Sequence, residues 1–467
     1  MPGPYKSLPL ATQLGEGLSP YASDAELVNL MLVPNPPGSR TPFSVQSVPA
    51  LSAATVSDAG SIRGACVYAD SNVIVFVRGA GVYRTALGGG AATLIGAIGA
   101  GGDCQMVDAG THVVIIDASQ NIAVAATASA VSTITPPAGS FSDATYMDGY
   151  TIYSREGTDE FYISAIDDPL TISALDFSTA DALSGDIVGL IADHKELIIF
   201  KEKSIEFWYN SGAADFPFVR SSPGVAERGC SAVGSIAKYD NQVFWLGDDL
   251  RVYAMQGYQP RPVSTPWVDR VNAVLTEPEK ARGSAFVFEG AAYYLLDTNY
   301  NNSESLVWSI TTNLWHERLS SIVTRIMDVV NYRNPGSAMK TTALCNNSNA
   351  ATSAAYILSS SVYVDSGSAG QEARSMTLPA VAANGERVFM HELYLDMEKH
   401  SAASTVNLTY SDNGGSAYSS AKAADGTLAR CRWNRLGSFF QRILRFTFAT
   451  NSRIAIMGVH ARIEAGL

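Results

Sequence analysis

The chain is poor in charged side chains and has no closely spaced cysteines. Lys, Arg, Asp and Glu supply 16% of its 467 residues, against about 25% in an average soluble protein. The cysteine count is odd and no CxxC spacing occurs, which excludes zinc knuckles and thioredoxin-like redox motifs. We therefore predict buried free thiols in a reducing compartment, at Cys66, Cys104, Cys230, Cys345 and Cys431.

Long apolar runs are also missing. No stretch of about 18 apolar residues occurs, so we expect neither a membrane-spanning helix nor stable membrane insertion. The N-terminal segment lacks the apolar region of a signal peptide. Together these features favour a protein that folds in the cytoplasm.

Motifs that carry chemistry are absent too. The six histidines form no HExxH pair, and there is no GxSxG nucleophile elbow and no GK[ST] phosphate loop. The sequence thus predicts a protein that is not an enzyme and that holds no cofactor and no metal. Glycoside hydrolysis stays open as an alternative, because it needs only two carboxylates that meet in space and the chain has 44 acidic residues.

Two polar segments are similar to functional loops. Residues 411–418 are similar to the Asp box of sialidase-type propellers, but that box is a hairpin turn and occurs once here. Residues 297–302 space oxygen atoms as a calcium loop does, but Trp308 stands where a bidentate glutamate is needed. We interpret both segments as polar turns.

The net charge of −12 argues against nucleic-acid binding. An acidic chain cannot gain affinity by releasing phosphate counterions. An acidic channel wall would, however, let DNA slide without sticking. The simpler explanation is the acidic surface of an ordinary soluble protein.

Positive charge is concentrated at the C-terminus. Residues 428–467 hold seven arginines and one acid, which gives +6 there and −18 for residues 1–427. The arginines alternate with aromatic residues, a composition typical of surfaces that dock on an acidic partner. The alternative is a solvated sheet face on which arginine stems cover the rings. The candidate partner contacts are Trp433, Arg435, Arg442 and Arg445.

Regularly spaced hairpins predict the fold. Six hairpins start with short β-branched or aromatic runs near residues 73, 113, 150, 197, 243 and 292, and a weaker seventh covers residues 355–364. Their spacing of 37 to 49 residues is typical of propeller blades. We predict an all-β protein with a β-propeller of six or seven blades. An irregular stack of sandwiches is the alternative.

Composition divides the chain into four segments. Residues 1–60, rich in proline and glycine, are expected as an extended N-terminal arm with one short helix at residues 23–27. Residues 61–365 are the predicted propeller, and residues 366–386 are a Gly/Ala/Ser-rich linker. Residues 387–467 are predicted to form a separate C-terminal β-sandwich.

Four stretches carry a resemblance to a known family. They are residues 28–34 with 49–51, residues 148–161, residues 204–208 with 224–229, and residues 432–437 with 460–464. Together they resemble the packaged-DNA stabilisation proteins, also called tail accessory, hub or nozzle proteins, of short-tailed bacteriophages. The match covers about a third of the chain and includes both ends and the middle.

The resemblance implies a structural virion protein that is assembled in the host cytoplasm. It implies a homohexameric ring below the portal and its adaptor ring. Such a ring continues the DNA channel without sequence-specific binding, helps to retain the packaged genome, and anchors tail fibres or spikes and a needle or plug. The alternative function is a propeller-type tail component that binds a receptor or degrades a glycan.

Overall fold

The structure is a computed structural model. It describes residues 5–10, 25–87, 91–298, 304–321, 323–332, 340–347, 352–359, 361–365, 373–383, 385–400 and 404–465. Strands dominate, and the described residues contain one α-helix, α1 (Pro266–Asn272), whose first turn is capped by Thr265. No helix in these ranges is long and apolar enough to cross a membrane.

Five strands lie in the first 60 residues. They are β1 (Tyr5–Leu8), β2 (Glu26–Val28), β3 (Leu30–Pro34), β4 (Phe43–Ser47) and β5 (Ala50–Ala59). Glu26 and Leu27 lie in a strand, so the prediction of a helix there is wrong. The reason is tertiary: β2 is held between two neighbouring strands, which supply backbone partners that a short helix would not have.

The next strands form four-stranded antiparallel blades. Blade 1 is β6 (Ile62–Tyr68), β7 (Val73–Arg78), β8 (Gly81–Ala86) and β9 (Thr93–Ala97), and blade 2 is β10 (Gln105–Asp108), β11 (Val113–Asp117), β12 (Ile122–Ala126) and β13 (Val131–Ile134). Blade 3 is β14 (Phe141–Met147), β15 (Tyr150–Arg155), β16 (Glu160–Ala165) and β17 (Asp168–Thr179), and blade 4 is β18 (Ile187–Asp193), β19 (Glu196–Lys201), β20 (Ile205–Asn210) and β21 (Phe218–Ala226).

The remaining three blades complete the circle. Blade 5 is β22 (Ala237–Tyr239), β23 (Gln242–Leu246), β24 (Val252–Gln256) and β25 (Gln259–Pro262); blade 6 is β26 (Arg282–Phe288), β27 (Ala291–Asp297), β28 (Glu304–Ser309) and β29 (Leu314–Leu319); blade 7 is β30 (Val323–Tyr332), β31 (Lys340–Asn347), β32 (Thr352–Ser359) and β5. The first strands of successive blades contact one another from blade 1 to blade 4 and from blade 5 to blade 7, and the first strand of blade 7 contacts that of blade 1. Blades 4 and 5 share a hydrophobic core.

The all-β propeller prediction is therefore confirmed. Among the described residues, six blades are separate four-stranded sheets, and blade 6 has the same strand order but continues into a larger sheet. The second strand of each of the first six blades is the apolar run that the sequence identifies. Residues 362–364, predicted as a strand of the seventh hairpin, are irregular, and the fourth strand of blade 7 is β5.

Nine further strands form the C-terminal module with β1 to β4. They are β33 (Ser375–Thr377), β34 (Val381–Ala382), β35 (Val388–Met397), β36 (Thr405–Ser411), β37 (Lys422–Asp425), β38 (Arg430–Asn434), β39 (Ser438–Phe439), β40 (Gln441–Ala449) and β41 (Ala455–Ala465). One sheet has the order β3-β4-β41-β35-β38, and the other continues from β29 through β2, β33, β40 and β36 to β37. The two sheets share one hydrophobic core, which includes Trp433 and Phe446.

Segments predicted as an arm and a linker thus form strands of the two modules. β5 belongs to the N-terminal 60 residues yet completes blade 7, and β33 and β34, within residues 366–386, pair with β40. Strand β2 joins the two modules, because it pairs with β29 of blade 6 on one side and with β33 on the other.

The free thiols are where the sequence predicts them. Four cysteines are buried and Cys66 is half-buried, and none is paired. Burial raises the pKa of Cys104 and Cys230 to about 12 and that of Cys431 to about 11. These thiols are therefore protonated and unreactive at neutral pH.

Candidate assembly surface

Two of the four candidate partner contacts lie inside the C-terminal module. Trp433 is 4% exposed, packs against Phe446 with ring centroids 5.5 Å apart, and donates from Nε1 to the Lys422 carbonyl at 2.7 Å. The Arg442 side chain is 2% exposed. Both residues stabilise the module and present almost no surface to a partner.

Arg442 has hydrogen-bond and ring partners inside the module. Its Nε and Nη2 donate to the two carboxylate oxygens of Asp412 at 2.6 and 2.7 Å, and its Nη1 donates to the Leu436 carbonyl at 2.5 Å. The guanidinium lies 4.1 Å from the ring centroids of both Tyr410 and Phe439. Bidentate pairing and cation–π contact are the strongest arrangements open to an arginine.

Arg445 lies at the junction between the propeller and the C-terminal module. It is about one-third exposed, donates from Nε to the Thr377 hydroxyl at 3.0 Å, and lies 3.4 Å from a carboxylate oxygen of Glu26. Its guanidinium covers the ring of Tyr418 at 4.3 Å. These contacts tie β40 to β33 and β2.

The segment similar to an Asp box is a self-capped turn, as interpreted from the sequence. The Asn413 carbonyl Oδ1 accepts from the backbone N–H of Ala417 at 3.0 Å, and Ser411 Oγ accepts from that of Gly415 at 2.9 Å. In the calcium-like segment, residues 299–302 lie outside the described residues. Its first residue, Asp297, is buried and accepts from the Ile326 N–H at 2.8 Å.

Arg435 is the candidate contact that lies on the surface. It is exposed, with φ at 57°, in a turn whose backbone N–H donates to the His391 carbonyl at 2.9 Å. Beside this turn Phe440 is 57% exposed under the Arg387 guanidinium at 5.2 Å, and Phe389 is 39% exposed. This end of the module therefore exposes two apolar rings beside two cations.

A second exposed surface lies on the sheet that contains β1, β41, β35 and β38. We name it the arginine–tyrosine face; its members are Tyr5, Tyr394, Arg430, Arg432, His460 and Arg462. Tyr394 is at its centre, stacked on His460 with centroids 4.8 Å apart and in edge contact with Tyr5 at 5.2 Å. Arg430 lies over the Tyr394 ring at 5.4 Å.

Two carboxylates lie within this face, so its charge is only partly balanced. Tyr5 donates to Glu392 at 2.5 Å, and Arg432, 55% exposed, lies 3.5 Å from the same carboxylate. Arg40, 67% exposed, lies 2.8 Å from Asp396. The arginines outnumber the acids, and the rings give the face apolar area, which is the composition of a protein-binding surface.

The sequence places three arginines of this face in the basic C-terminal segment, but none of the four candidate contacts belongs to the face and its centre was missed. Tyr5 and Tyr394 meet because β1 and β35 both pair with β41. No local pattern links residues that are almost four hundred positions apart. One sequence signal was available for β38. Side chains alternate between the two faces of a strand, so Trp433 points inward and Arg430 and Arg432 point outward.

The propeller axis is closed by a buried arginine. Arg282 starts the innermost strand of blade 6, and its Nη1 donates across the centre to the Cys104 carbonyl at the start of blade 2. Its Nη2 donates to Asp328 of blade 7 at 3.1 Å. A side chain that bridges these three blades must lie on the axis. The guanidinium of Arg282 therefore occupies the axis at this level.

Buried carboxylates tie adjacent blades together. Asp143 accepts from the Leu190 N–H of the next blade at 2.7 Å, and Asp328 accepts from the Ala65 N–H at 2.9 Å. Burial raises the pKa of Asp143 to about 7. No group of three metal-ligating side chains occurs among the residues that the structure describes.

One carboxylate is buried where the two modules meet. Glu317 in β29 is 5% exposed, and its Oε1 has no hydrogen-bond partner among the described residues. Burial, and then the nearby carboxylates of Glu26 and Glu304, raise the pKa of Glu317 to about 9. It is therefore neutral at physiological pH.

Comparisons with known proteins point to one family. The family model described as "Phage_stabilise: Bacteriophage P22 Gp10, beta-propeller" matches residues 19–324, about two thirds of the chain. No curated protein matches the chain. Among solved structures, the WD40 domain of Neurospora crassa Pan2 is similar at 7% identity and a TM-score of 0.43, over 66% of this chain and 95% of that one.

Proposed function

The chain belongs to the bacteriophage P22 Gp10 β-propeller family, and from this membership we propose that it is a ring-forming hub or nozzle of a phage tail. In this role it is a structural protein of the virion, not an enzyme. The family match carries the assignment to the tail. The closed axis and the exposed arginine–tyrosine face support the ring.

The closed propeller axis supports a channel made by several copies. Because Arg282 occupies the centre of each propeller, a genome that leaves the capsid needs a passage bounded by more than one chain. A homo-oligomeric ring supplies it, and the resemblance to tail hub proteins favours six copies. The net charge of −12 suits a wall along which DNA slides without sequence-specific binding.

The proposed partners are other virion proteins. The portal-adaptor ring lies above the hub, and tail fibres or spikes and a needle or plug attach around and below it. The exposed end near Arg435, with Phe389 and Phe440, is a surface suited to such attachment. Assembly in the host cytoplasm is supported by thiols that are all unpaired.

Particles assembled without this chain test the proposal. We expect them to package DNA and then lose it, and to lack fibres or spikes, and we expect the chain supplied in trans to restore both. Particles that retain DNA and fibres but no longer adsorb to cells would contradict the hub and favour the receptor-binding alternative. Glycan cleavage by the purified chain would favour the glycan-degrading alternative.

A further inference from the structure

An acidic region lies on blade 3 and its connection to blade 4. Residues 156–193 contain nine carboxylates and neither lysine nor arginine. These are Glu156, Asp159, Glu160, Asp167, Asp168, Asp176, Asp181, Asp186 and Asp193. This segment, about a twelfth of the chain, thus carries a charge of −9.

The outer edge of blade 3 combines this charge with exposed apolar side chains. Strand β17 pairs Phe177 with Tyr162 and Ile172 with Ser164, so residues 173–176 bulge out opposite Ile163 alone. We call residues 173–186 the acidic rim. Its apolar members are exposed by 86% at Leu175, 41% at Phe177 and 39% at Leu183.

Protection of an edge strand does not by itself explain the exposed apolar side chains of this bulge. A bulge by itself prevents strand addition, and a charged or polar residue at its tip would do so at no cost in solubility. Here the tip is Leu175, flanked by Asp176. Exposed apolar side chains with acidic neighbours are typical of an interaction site for a cationic, partly apolar partner.

The arginine–tyrosine face has the matching chemistry. Arg430 and Arg432 project from β38 beside the Tyr5 and Tyr394 rings, and residues 428–467 carry +6. The carboxylates of Glu392 and Asp396 within this face disfavour nucleic acid, because they would oppose phosphate. An acidic protein surface with apolar side chains fits the face better.

The two surfaces are attached to opposite sides of the propeller. The C-terminal module joins blade 6 through the pairing of Val28 with Glu317. The acidic rim belongs to blade 3, which is three blades away in one direction and four in the other. Complementary surfaces at opposite ends of one subunit form heterologous contacts, which close into rings when the rotation between copies allows it.

We propose that the acidic rim of one copy docks on the arginine–tyrosine face of the next copy, head to tail around the ring. This inference rests on the proposed ring function and adds the contact that builds it. Leu175 and Phe177 pack against the tyrosine rings, and Asp176 and Asp186 face the arginines, whereas Asp181 already pairs with Arg220 of its own copy. Other virion proteins or DNA on either surface are outcomes of the test.

Charge exchange in particles tests the contact. Arg430→Glu with Arg432→Glu should lower incorporation of the chain about tenfold, and so should Asp176→Lys with Asp186→Lys. All four substitutions in one chain restore opposite charges at every junction and should restore incorporation. Val274→Asp, at an apolar residue that is 55% exposed between α1 and blade 6 and belongs to neither surface, is the control and should have no effect. Failure of the combined variant to recover would overturn the contact, provided that it elutes as folded protein with the thermal midpoint of the parent.

Site-specific photocrosslinking locates the contact directly. A benzophenone side chain in place of the exposed Leu175 should crosslink, within particles, to peptides of β35, β38 or β41 from another copy. Crosslinks to a different virion protein or to DNA would overturn the inference. Electron microscopy of the same particles separates the two claims, because a closed ring with crosslinks elsewhere rejects only the contact, whereas no ring rejects the proposed function as well.

Discussion

Asp365 accepts a hydrogen bond from Arg318 at 3.0 Å, and both side chains are buried, 3% and 8% exposed. The same carboxylate accepts from the Leu51 N–H at 2.7 Å and from the Ser320 hydroxyl at 2.7 Å. Leu51 lies in β5 and Asp365 follows β32, so one carboxylate joins the two chain segments whose strands, paired side by side, complete blade 7.

We expect Asp365→Ala to lower the free energy of unfolding by about 3–5 kcal/mol, because it leaves Arg318 buried without its counter-charge. Urea unfolding monitored by tryptophan fluorescence measures the change. Asp70→Ala, at an exposed turn of blade 1, should stay within about 0.5 kcal/mol of the parent. Equal stability of the two variants would show that the Asp365 contacts do not hold blade 7 closed.

Arg435 and Arg442 should differ in their contribution to stability. Arg442→Ala removes a bidentate pair and two ring contacts, and we expect a loss of about 2–4 kcal/mol in the free energy of unfolding. Arg435→Ala changes an exposed side chain and should leave stability within about 0.5 kcal/mol. Thermal unfolding of both variants is the measurement, and a larger loss for Arg435→Ala would contradict the assignment.

Asp143 should make the free energy of unfolding decrease as the pH rises from about 4 to 7. Its folded pKa of about 7 lies above the ordinary value of 3.8. The folded state therefore binds the extra proton, and the resulting stability is complete below about pH 3.8 and is lost as the pH rises through 7. Asp143→Asn keeps an oxygen to accept from Leu190 and cannot ionise. The free energy of unfolding of this variant, relative to that of the parent, should increase from pH 4 to 7. Above pH 7 the difference between the two proteins should stay constant. A parallel course throughout would contradict the burial of this charge.

Glu317 should act over a higher pH range. With a folded pKa of about 9 against an ordinary 4.5, its contribution is complete below about pH 4.5 and is lost as the pH rises through 9. Between pH 7 and 9 the Asp143 contribution is already lost. The decrease in the free energy of unfolding with pH should therefore be smaller in Glu317→Gln than in the parent, and unchanged in Asp143→Asn. Denaturant titrations at pH 7, 8 and 9 give the slopes, with Asp143→Asn as the control. An unchanged slope for Glu317→Gln would mean that this carboxyl is already ionised at the junction.

The propeller could be predicted because one strand of each blade carries a clear signal. Runs such as residues 73–77 are buried throughout, and a strand that is buried on both faces is continuously apolar. The innermost strands were missed because their side chains must be small where the blades crowd around the axis. At Gly64 a Cβ atom would lie 2.7 Å from the Cys104 carbonyl oxygen, so the strand contains a glycine that local patterns assign to turns.

The connections between distant segments could not be predicted. Strand β5 reads as part of a polar, proline-rich arm, and its partner β32 lies about 300 residues later in the chain. The charged C-terminus was recognised from composition alone. Burial then divides it, because inward Trp433 and Arg442 stabilise the core while outward Arg430, Arg432 and Arg435 remain on the surface.

Cryo-electron microscopy of particles that contain this chain shows where its copies lie. We expect a closed ring of copies around the DNA path below the portal, with each propeller axis blocked and the passage bounded by several chains. Separate copies at the tail periphery, with no contact to the DNA path, would contradict this expectation.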